Sequence, residues 1–285
     1  MDIINVLAGI FDVSPANIHS VFGGDINKAY KIITGTTPLF VKVNDAAFSR
    51  DMFEKEAKGL KTLKDTGHLN VPDVVDIKTQ DKYTVLVLQW IEPGNRNKTT
   101  NGDIARQLSN LHNSKNDYFG LSYDNYLGTL NQINGFEENW LDFYFKNRIE
   151  YQIQLAIDSG LMGKHIIAKV DKMFSSIAKD YPVVIPSLLH GDLWGGNYMI
   201  AINGKAVFID PAIYYGYREM DIAMMKLFGG FDKEVFDLYN ESMPLDYDWQ
   251  SRLCFHQLYY ILAHVNLFGG GYVNSAVKII EYYSG

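Results

Sequence analysis

The spacing of apolar residues changes character at Glu92-Pro93-Gly94, and this change constrains the fold more than any other feature of the chain. Before it, the runs Ile18 to Phe22, Ala29 to Ile33, Leu39 to Val43, Val74 to Asp76 and Tyr83 to Gln89 read as strands, rich in β-branched and aromatic residues. One helical stretch interrupts them, from Ser49 to Leu63, with Phe53, Ala57 and Leu60 on one face. Asp2 reads as the cap of a first helix carrying Ile3, Leu7 and Ile10, and Ser14-Pro15 opens the segment after it. Beyond Gly94 the helical period dominates: Ile104 to Leu111, Trp140 to Ile157, Ile166 to Ile177, and the remainder from Glu219 on. A hairpin breaks that series, with Tyr198 to Ala201 and Ala206 to Ile209 flanking Asn203-Gly204, the signal of a type I′ turn. The expectation is an α+β, two-lobed fold. Residues 1–92 would form an antiparallel sheet lobe with one main helix, and residues 93–285 a larger, mainly helical lobe.

Composition narrows what such a chain binds. Hydrophobic residues make up 47% and charged residues 21%, so disordered and fibrous classes drop out. A net charge of -7 argues against a general nucleic-acid or anionic-membrane surface, which needs an excess of Lys and Arg, although it leaves room for a local basic pocket. No run approaches the roughly 20 apolar residues of a membrane span, and the start of the chain lacks the basic residues of a secretory signal. Cys254, the single cysteine, has no partner for a disulfide, which fits a reducing cytoplasm; the residue itself reads as a small buried hydrophobe.

The most specific chemical signal is His190-Gly191-Asp192-Leu193-Trp194-Gly195-Gly196-Asn197, followed by Ile209-Asp210-Pro211. Phosphoryl transfer needs a carboxylate to take or orient the acceptor hydroxyl proton, and oxygen ligands for magnesium on the nucleotide phosphates. Asp192 suits the first task. Asn197 and Asp210 suit the second, because Mg²⁺ prefers hard oxygen ligands and takes few of them from protein. The Asp-to-Asn spacing matches a kinase catalytic loop, and the hairpin would return Asp210 to it. His190 reads as the residue that holds this loop's backbone, His112 as a structural residue at a helix end, and Met224-Met225 as core.

The first lobe would supply the nucleotide-binding parts. Gly23-Gly24, between two strands, lets backbone amides approach phosphates, though a two-glycine turn fits an ordinary hairpin equally well. Lys42 lies inside an apolar strand, where an unpaired ammonium is costly, so it needs an anionic partner. Helical spacing puts Glu56 between Phe53 and Leu60 on the inward face, whereas Glu54 belongs to another stripe. A Lys–Glu pair that aims the ammonium at the α- and β-phosphates is the kinase arrangement.

The chain resembles the fructosamine-3-kinase (ketosamine kinase) family, within the wider group of aminoglycoside and choline kinases. The wider likeness rests on the His-Gly-Asp start, Asn197 and Asp210. The narrower one rests on Gly23-Gly24-Asp25-Ile26-Asn27-Lys28-Ala29-Tyr30, Leu193-Trp194-Gly195-Gly196-Asn197, Tyr214-Tyr215-Gly216-Tyr217-Arg218-Glu219-Met220-Asp221 and Leu227-Phe228-Gly229-Gly230-Phe231. The resemblance implies a protein-kinase-like fold, ATP and Mg²⁺ as cofactors, Lys42 on phosphate with Glu56 as its pair, Asp192 as base, and Asn197 with Asp210 on the metal. It also implies that Gln89, Trp90 and Ile91 form a hinge offering backbone groups to adenine. The implied reaction is phosphorylation of the 3-hydroxyl of ribulosamine or fructosamine adducts, on small amines or protein lysines, as a repair of glycation. An aminoglycoside, choline or another alcohol is the alternative acceptor, and a binding module without turnover is the alternative class. Trp194, beside the proposed base, reads as a platform for the sugar or cation and otherwise as packing. Asp25 stands where some eukaryotic relatives carry Cys, so thiol control through that loop is not expected, and Tyr217 stands where relatives often have another polar residue.

Overall fold

The structure, a computed structural model, describes residues 3–21 and 27–285. Its elements are α1 (Ile3–Phe11), β1 (Ile18–Val21), β2 (Lys28–Thr34), β3 (Thr37–Asn44), α2 (Ser49–Asp65), β4 (Val74–Gln80), β5 (Tyr83–Gln89), α3 (Thr100–His112), β6 (Asn125–Leu127), β7 (Leu130–Gln132), α4 (Trp140–Tyr144), α5 (Tyr151–Asp158), α6 (Ile166–Ile177), β8 (Ser187–Leu189), β9 (Tyr198–Ile200), β10 (Ala206–Phe208), β11 (Tyr214–Gly216), α7 (Glu219–Phe228), α8 (Lys233–Ser242), α9 (Trp249–Phe268) and α10 (Gly271–Ser284). The cap expected at Asp2 and the turn expected at Gly23-Gly24 lie outside the described residues. The α+β class is the one observed. Among the described residues no helix is long and apolar enough to cross a membrane.

The chain divides into two compact units, Met1–Gln107 with Gly196–Pro211, and Leu108–Gly195 with Ala212–Gly285. This division falls at a different point from the Pro93-Gly94 break. Backbone bonds give the reason: Gly94 N–H donates to Ile200 O at 2.8 Å and Ile202 N–H to Glu92 O at 2.9 Å, so the β9–β10 hairpin is stitched to residues 92–94. The Gln107 side chain adds a second tie, accepting from Asn70 N at 2.6 Å and donating to Ala206 O at 3.2 Å.

The first unit is built on a five-stranded antiparallel sheet in the order β1-β2-β3-β5-β4. Alternation along β3 and β5 sends Val41, Val43, Val85 and Val87 to one face, where they pack with Leu7 of α1. Lys42, between two of those valines, faces the other way. The β9–β10 connection corrects the expected type I′ turn, which requires two residues at positive φ. Only Gly204, at φ 78°, takes that conformation; Asn203 does not, and its Oδ1 accepts from Lys205 N at 3.1 Å. With Gly204 N–H donating to Ala201 O and Ala201 N–H to Lys205 O, the hairpin closes through a glycine bulge.

The second unit centres on α9, whose Phe255, Leu258, Tyr259, Tyr260, Leu262 and Val265 are buried. Cys254 is exposed on the outward stripe of this helix with Gln250 and Ser251, which corrects its reading as a buried hydrophobe. The single helix expected from Trp140 to Ile157 is instead α4, a π-helical segment over Phe145–Glu150, and α5. The buried pairs Phe143-Tyr144 and Arg148-Ile149 are five residues apart, and an i→i+5 turn keeps both on the core side.

A chain of polar groups is buried in this core. Trp140 Nε1–H donates to the Tyr181 hydroxyl at 3.0 Å, that hydroxyl lies 2.7 Å from His256 Nε2, and His256 Nδ1 lies 3.3 Å from Glu219 Oε2. Arg252 closes it with two bonds to Glu219, at 3.1 and 2.7 Å. Burial, with Arg252 adding to it, pushes His256 down to about 3. His256 is therefore neutral when folded but titrates near its ordinary value when unfolded, so its contribution to stability is complete above about pH 6.5 and is lost as pH falls toward 3. At pH 5 the loss from this residue is about 2 kcal/mol relative to pH 7. Urea unfolding at both pH values should show a shallower pH dependence in His256→Gln, by roughly that amount; parallel pH dependences would remove His256 as the cause.

Candidate active site

In the first unit, three expected site residues meet. Lys42 Nζ donates to Glu56 Oε1 at 2.7 Å and to Asp210 Oδ1 at 2.5 Å. Strand alternation turns Lys42 away from the α1 face, and α2, packed on β4 and β5, brings Glu56 to it. Burial opposes the charge on Lys42, but Asp210 and Glu56 more than offset this and hold its pKa above the ordinary lysine value. Burial pushes the Glu56 carboxyl up against the pull of Lys42, and Asp210, sharing the same cation, adds to the push.

The β9–β10 hairpin sets Asn197 and Asp210 at its open end. Tyr198 pairs with Phe208, and Ile209 N–H donates to Asn197 O at 3.0 Å. Asp210 adopts φ 56°, a left-handed conformation that Asp tolerates better than most residues and that is found disproportionately at functional sites. Its Oδ1 is taken by Lys42, which leaves Oδ2 for a metal. Among the described residues no group of three or more His, Cys, Asp or Glu gathers. Two hard oxygen ligands, one from Asn197 and one from Asp210, suit Mg²⁺, which keeps waters and phosphate oxygens for the rest of its octahedron. At the expected hinge, Gln89 N–H is spent on Asp73 O at 2.8 Å. The Trp90 ring lies under Lys31, 4.2 Å from its Nζ.

In the second unit lies the loop that carries Asp192, which is itself half-buried. Its backbone is clamped by a residue that carries no role in the motifs above. Asp221, fully buried in the first turn of α7, accepts His190 N–H at 2.8 Å on Oδ2 and Gly191 N–H at 2.9 Å on Oδ1. His112 Nε2 lies 3.1 Å from the same Oδ2, and His112 Nδ1 lies 2.8 Å from the Tyr239 hydroxyl. Burial lowers the His112 pKa, so the ring is neutral, with Nε2–H donating to the carboxylate and Nδ1 accepting from tyrosine. Burial alone would raise Asp221, but His112 and the Gly191 amide outweigh it and hold its pKa below the usual carboxylate value. His112 therefore does more than end a helix. The signal available in the sequence was a carboxylate inside Met220-Asp221-Ile222-Ala223, an apolar stretch where a charge must be compensated.

Two of the glycine motifs meet in this unit. Gly195 N–H donates to Gly229 O at 3.0 Å, and a Cβ on Gly230 would stand 2.3 Å from Gly195 Cα. The loop that presents Trp194, 39% exposed, thus rests directly on Gly229-Gly230.

A family model described as Fructosamine kinase matches residues 5–284. The chain belongs to the fructosamine kinase family. It is 40% identical to a protein of Enterococcus faecium named "Probable ketoamine kinase", over 99% of each chain. A Haemophilus somnus protein whose crystal structure is named for fructosamine-3-kinase matches with a TM-score of 0.84 at 30% identity, covering 99% of this chain and 96% of that one. The protein-kinase-like fold extends to an aminoglycoside phosphotransferase solved with ADP and hygromycin B, with a TM-score of 0.65 at 16% identity, covering 100% of this chain and 99% of that one.

The clamp gives a direct test. Asp221→Asn leaves one of the two loop amides facing an amide NH₂ and should cost about 2–3 kcal/mol of unfolding free energy. It should also lower kcat about tenfold or more through displacement of the Asp192 loop, with little change in ATP affinity. Wild-type kcat in a folded Asp221→Asn protein would show that the clamp does not govern the base.

Proposed function

We propose that the protein is an ATP- and Mg²⁺-dependent kinase that phosphorylates the 3-hydroxyl of ketosamines, such as ribulosamine and fructosamine adducts of small amines or protein lysines. The observation that carries this reading is the Lys42 ammonium held between Glu56 and Asp210 in a chain that belongs to the fructosamine kinase family. Residues 1–92 supply the nucleotide-binding lobe in this reading, and residues 93–285 carry the base and the acceptor.

Each residue then has a task. Lys42, steadied by Glu56, binds the α- and β-phosphates, while the glycine pair Gly23-Gly24 and the Gln89–Ile91 hinge supply backbone contacts to phosphate and adenine. Asn197 and Asp210 hold magnesium, which, when bound, neutralises charge on the β- and γ-phosphates. Asp192 accepts the proton of the acceptor hydroxyl as the oxygen attacks phosphorus, and Trp194 offers an aromatic face to the sugar or its cationic amine. The exposed lone thiol of Cys254 fits a reducing cytoplasm.

The product accounts for a repair role. With phosphate on the third carbon, loss of a proton from the first carbon, next to the ketone, gives an enol. The nitrogen lone pair of the enol then expels inorganic phosphate and leaves an iminium. Water splits the iminium into free amine and a dicarbonyl sugar fragment. The enzyme need only place the phosphate.

Asp192→Asn should keep Mg-ATP affinity and lose kcat by about 100-fold or more, since the base acts on the acceptor. Calorimetry with Mg-ATP and a steady-state assay check both halves, and near wild-type turnover would remove Asp192 as base. The acceptor is tested by a panel with labelled ATP: ribulosyl-, erythrulosyl- and fructosyl-lysine against aminoglycosides and choline. Ribulosyl-lysine should be phosphorylated and then release phosphate and lysine. A stable ester, or transfer to aminoglycoside or choline alone, would overturn the ketosamine assignment and leave the kinase reading in place.

A further inference from the structure

Three uncharged amides and one guanidinium are buried together in the second unit, outside the residues given a chemical task above. Asn125 of β6, Gln132 of β7 and Asn134 just beyond it are linked: Gln132 Nε2 and Asn134 Nδ2 both donate to Asn125 Oδ1, at 2.8 and 2.6 Å. Arg148 Nη2 donates to Asn134 Oδ1 at 2.7 Å, its Nη1 bonds Ile133 O, and its guanidinium lies 4.1 Å over the Tyr214 ring. Among the described residues no carboxylate forms an ion pair with Arg148, and its side chain is fully buried. Burying this many polar groups is costly unless their bonds are used.

The bonds converge on one short stretch of backbone. Gln132 Nε2 donates to Ala212 O at 3.0 Å and Asn125 Nδ2 to Ile213 O at 2.9 Å. Ala212 in turn faces the catalytic loop. Its N–H donates to His190 O at 2.9 Å, and its carbonyl lies so close to Gly191 that a Cβ there would stand 2.0 Å from it. His190-Gly191 is therefore held on one side by the Asp221 carboxylate and on the other by Ala212, and Asp192 is the next residue. Tyr259 donates to Gln132 Oε1 at 2.8 Å, which orients the amide so that its NH₂ meets Ala212. Burial first, with the Asp192 charge among the further causes, pushes the Tyr259 phenol up, so this hydroxyl stays a donor.

We propose that Gln132 is a positioning residue for phosphoryl transfer: with Asn125 it sets the height of the Ala212 backbone, and through Ala212 the place of Asp192. Arg148 and Asn134 anchor the amides, and Tyr259 fixes which way Gln132 points. The inference rests on Asp192 as the base. The bonds of this network all fall within the second unit, so disturbing it should act on the chemical step and leave nucleotide binding alone.

The test uses the full chain, Mg-ATP and whichever acceptor of the panel above the wild-type protein phosphorylates. Gln132→Met keeps the length of the side chain and removes both hydrogen-bonding groups; kcat should fall about tenfold or more, with the KM for ATP within about twofold of wild type. Tyr259→Phe, which deletes one hydroxyl, should lower kcat by roughly threefold. The double variant should be no slower than Gln132→Met, because both changes act along one chain of bonds. Wild-type kcat in folded Gln132→Met, an equal loss in ATP affinity, or multiplicative losses in the double variant would each overturn the proposal. Should Gln132→Met fail to fold, Tyr259→Phe decides: an unchanged kcat overturns it. Asp192→Asn is run alongside, and a fully active Asp192→Asn would refute the base itself, whatever the ratio between the Gln132 variants and wild type.

Discussion

Much of the second unit is arranged around one buried carboxylate that has to stay ionised. Asp221 sits in the first turn of α7, where free backbone amides and the helix dipole favour negative charge, and it receives two loop amides and a histidine. Taking those partners away would strand a charge in an apolar core, so the loop, His112 and Tyr239 are fixed relative to one another. The neighbouring Glu219, buried in the same turn, serves a different set, Arg252, His256 and Tyr217, and ties α7 to α9. Two carboxylates two residues apart thus point in different directions from one helix start. One holds the loop that carries Asp192 and the other holds the core behind it.

Close backbone contact is the second constraint. Gly191 against the Ala212 carbonyl and Gly195 against Gly230 are places where a side chain would have no room, so the loop from His190 to Gly195 rests on protein backbone at both ends. This is a stiffer support than side-chain packing, which can change rotamer. It also explains why glycine pairs far apart in the sequence belong to one feature: Gly195 and Gly229-Gly230 are two halves of one contact.

The first unit solves a different electrostatic problem. Its buried cation, Lys42, has two carboxylates, so the cluster of three carries one excess negative charge when all are ionised. An excess of one negative charge around a buried ammonium favours the arrival of a cation over that of an anion. The left-handed backbone at Asp210 adds to this picture, because strain of that kind persists where neighbouring contacts hold it, here Lys42 on the side chain and the β9–β10 pairing just before it.

Local rules were enough for much of this protein. The five strands of the first sheet, the helices at Ser49 and Ile166, and the Lys42–Glu56 pair follow from periods of two and 3.6 residues, which decide which side chains share a face before any tertiary contact forms, whereas the three-residue strands β6, β7, β8 and β11 are too short to show a period. The turn at Asn203-Gly204 was legible as a turn but not as a type, because the two forms use similar residues and differ in the φ of one of them. The partition of the chain, the π-helical step at Phe145, the exposure of Cys254 and the partners of Asp221, His112 and Gln132 depend on residues tens to more than a hundred positions away. The sequence by itself determined the first sheet, the main helices and the chemical residue types, because these are legible from residue identity and spacing along the chain. Only the tertiary structure decided which buried polar group meets which, because a hydrogen-bond partner is chosen by where distant segments come to lie and no local period encodes that.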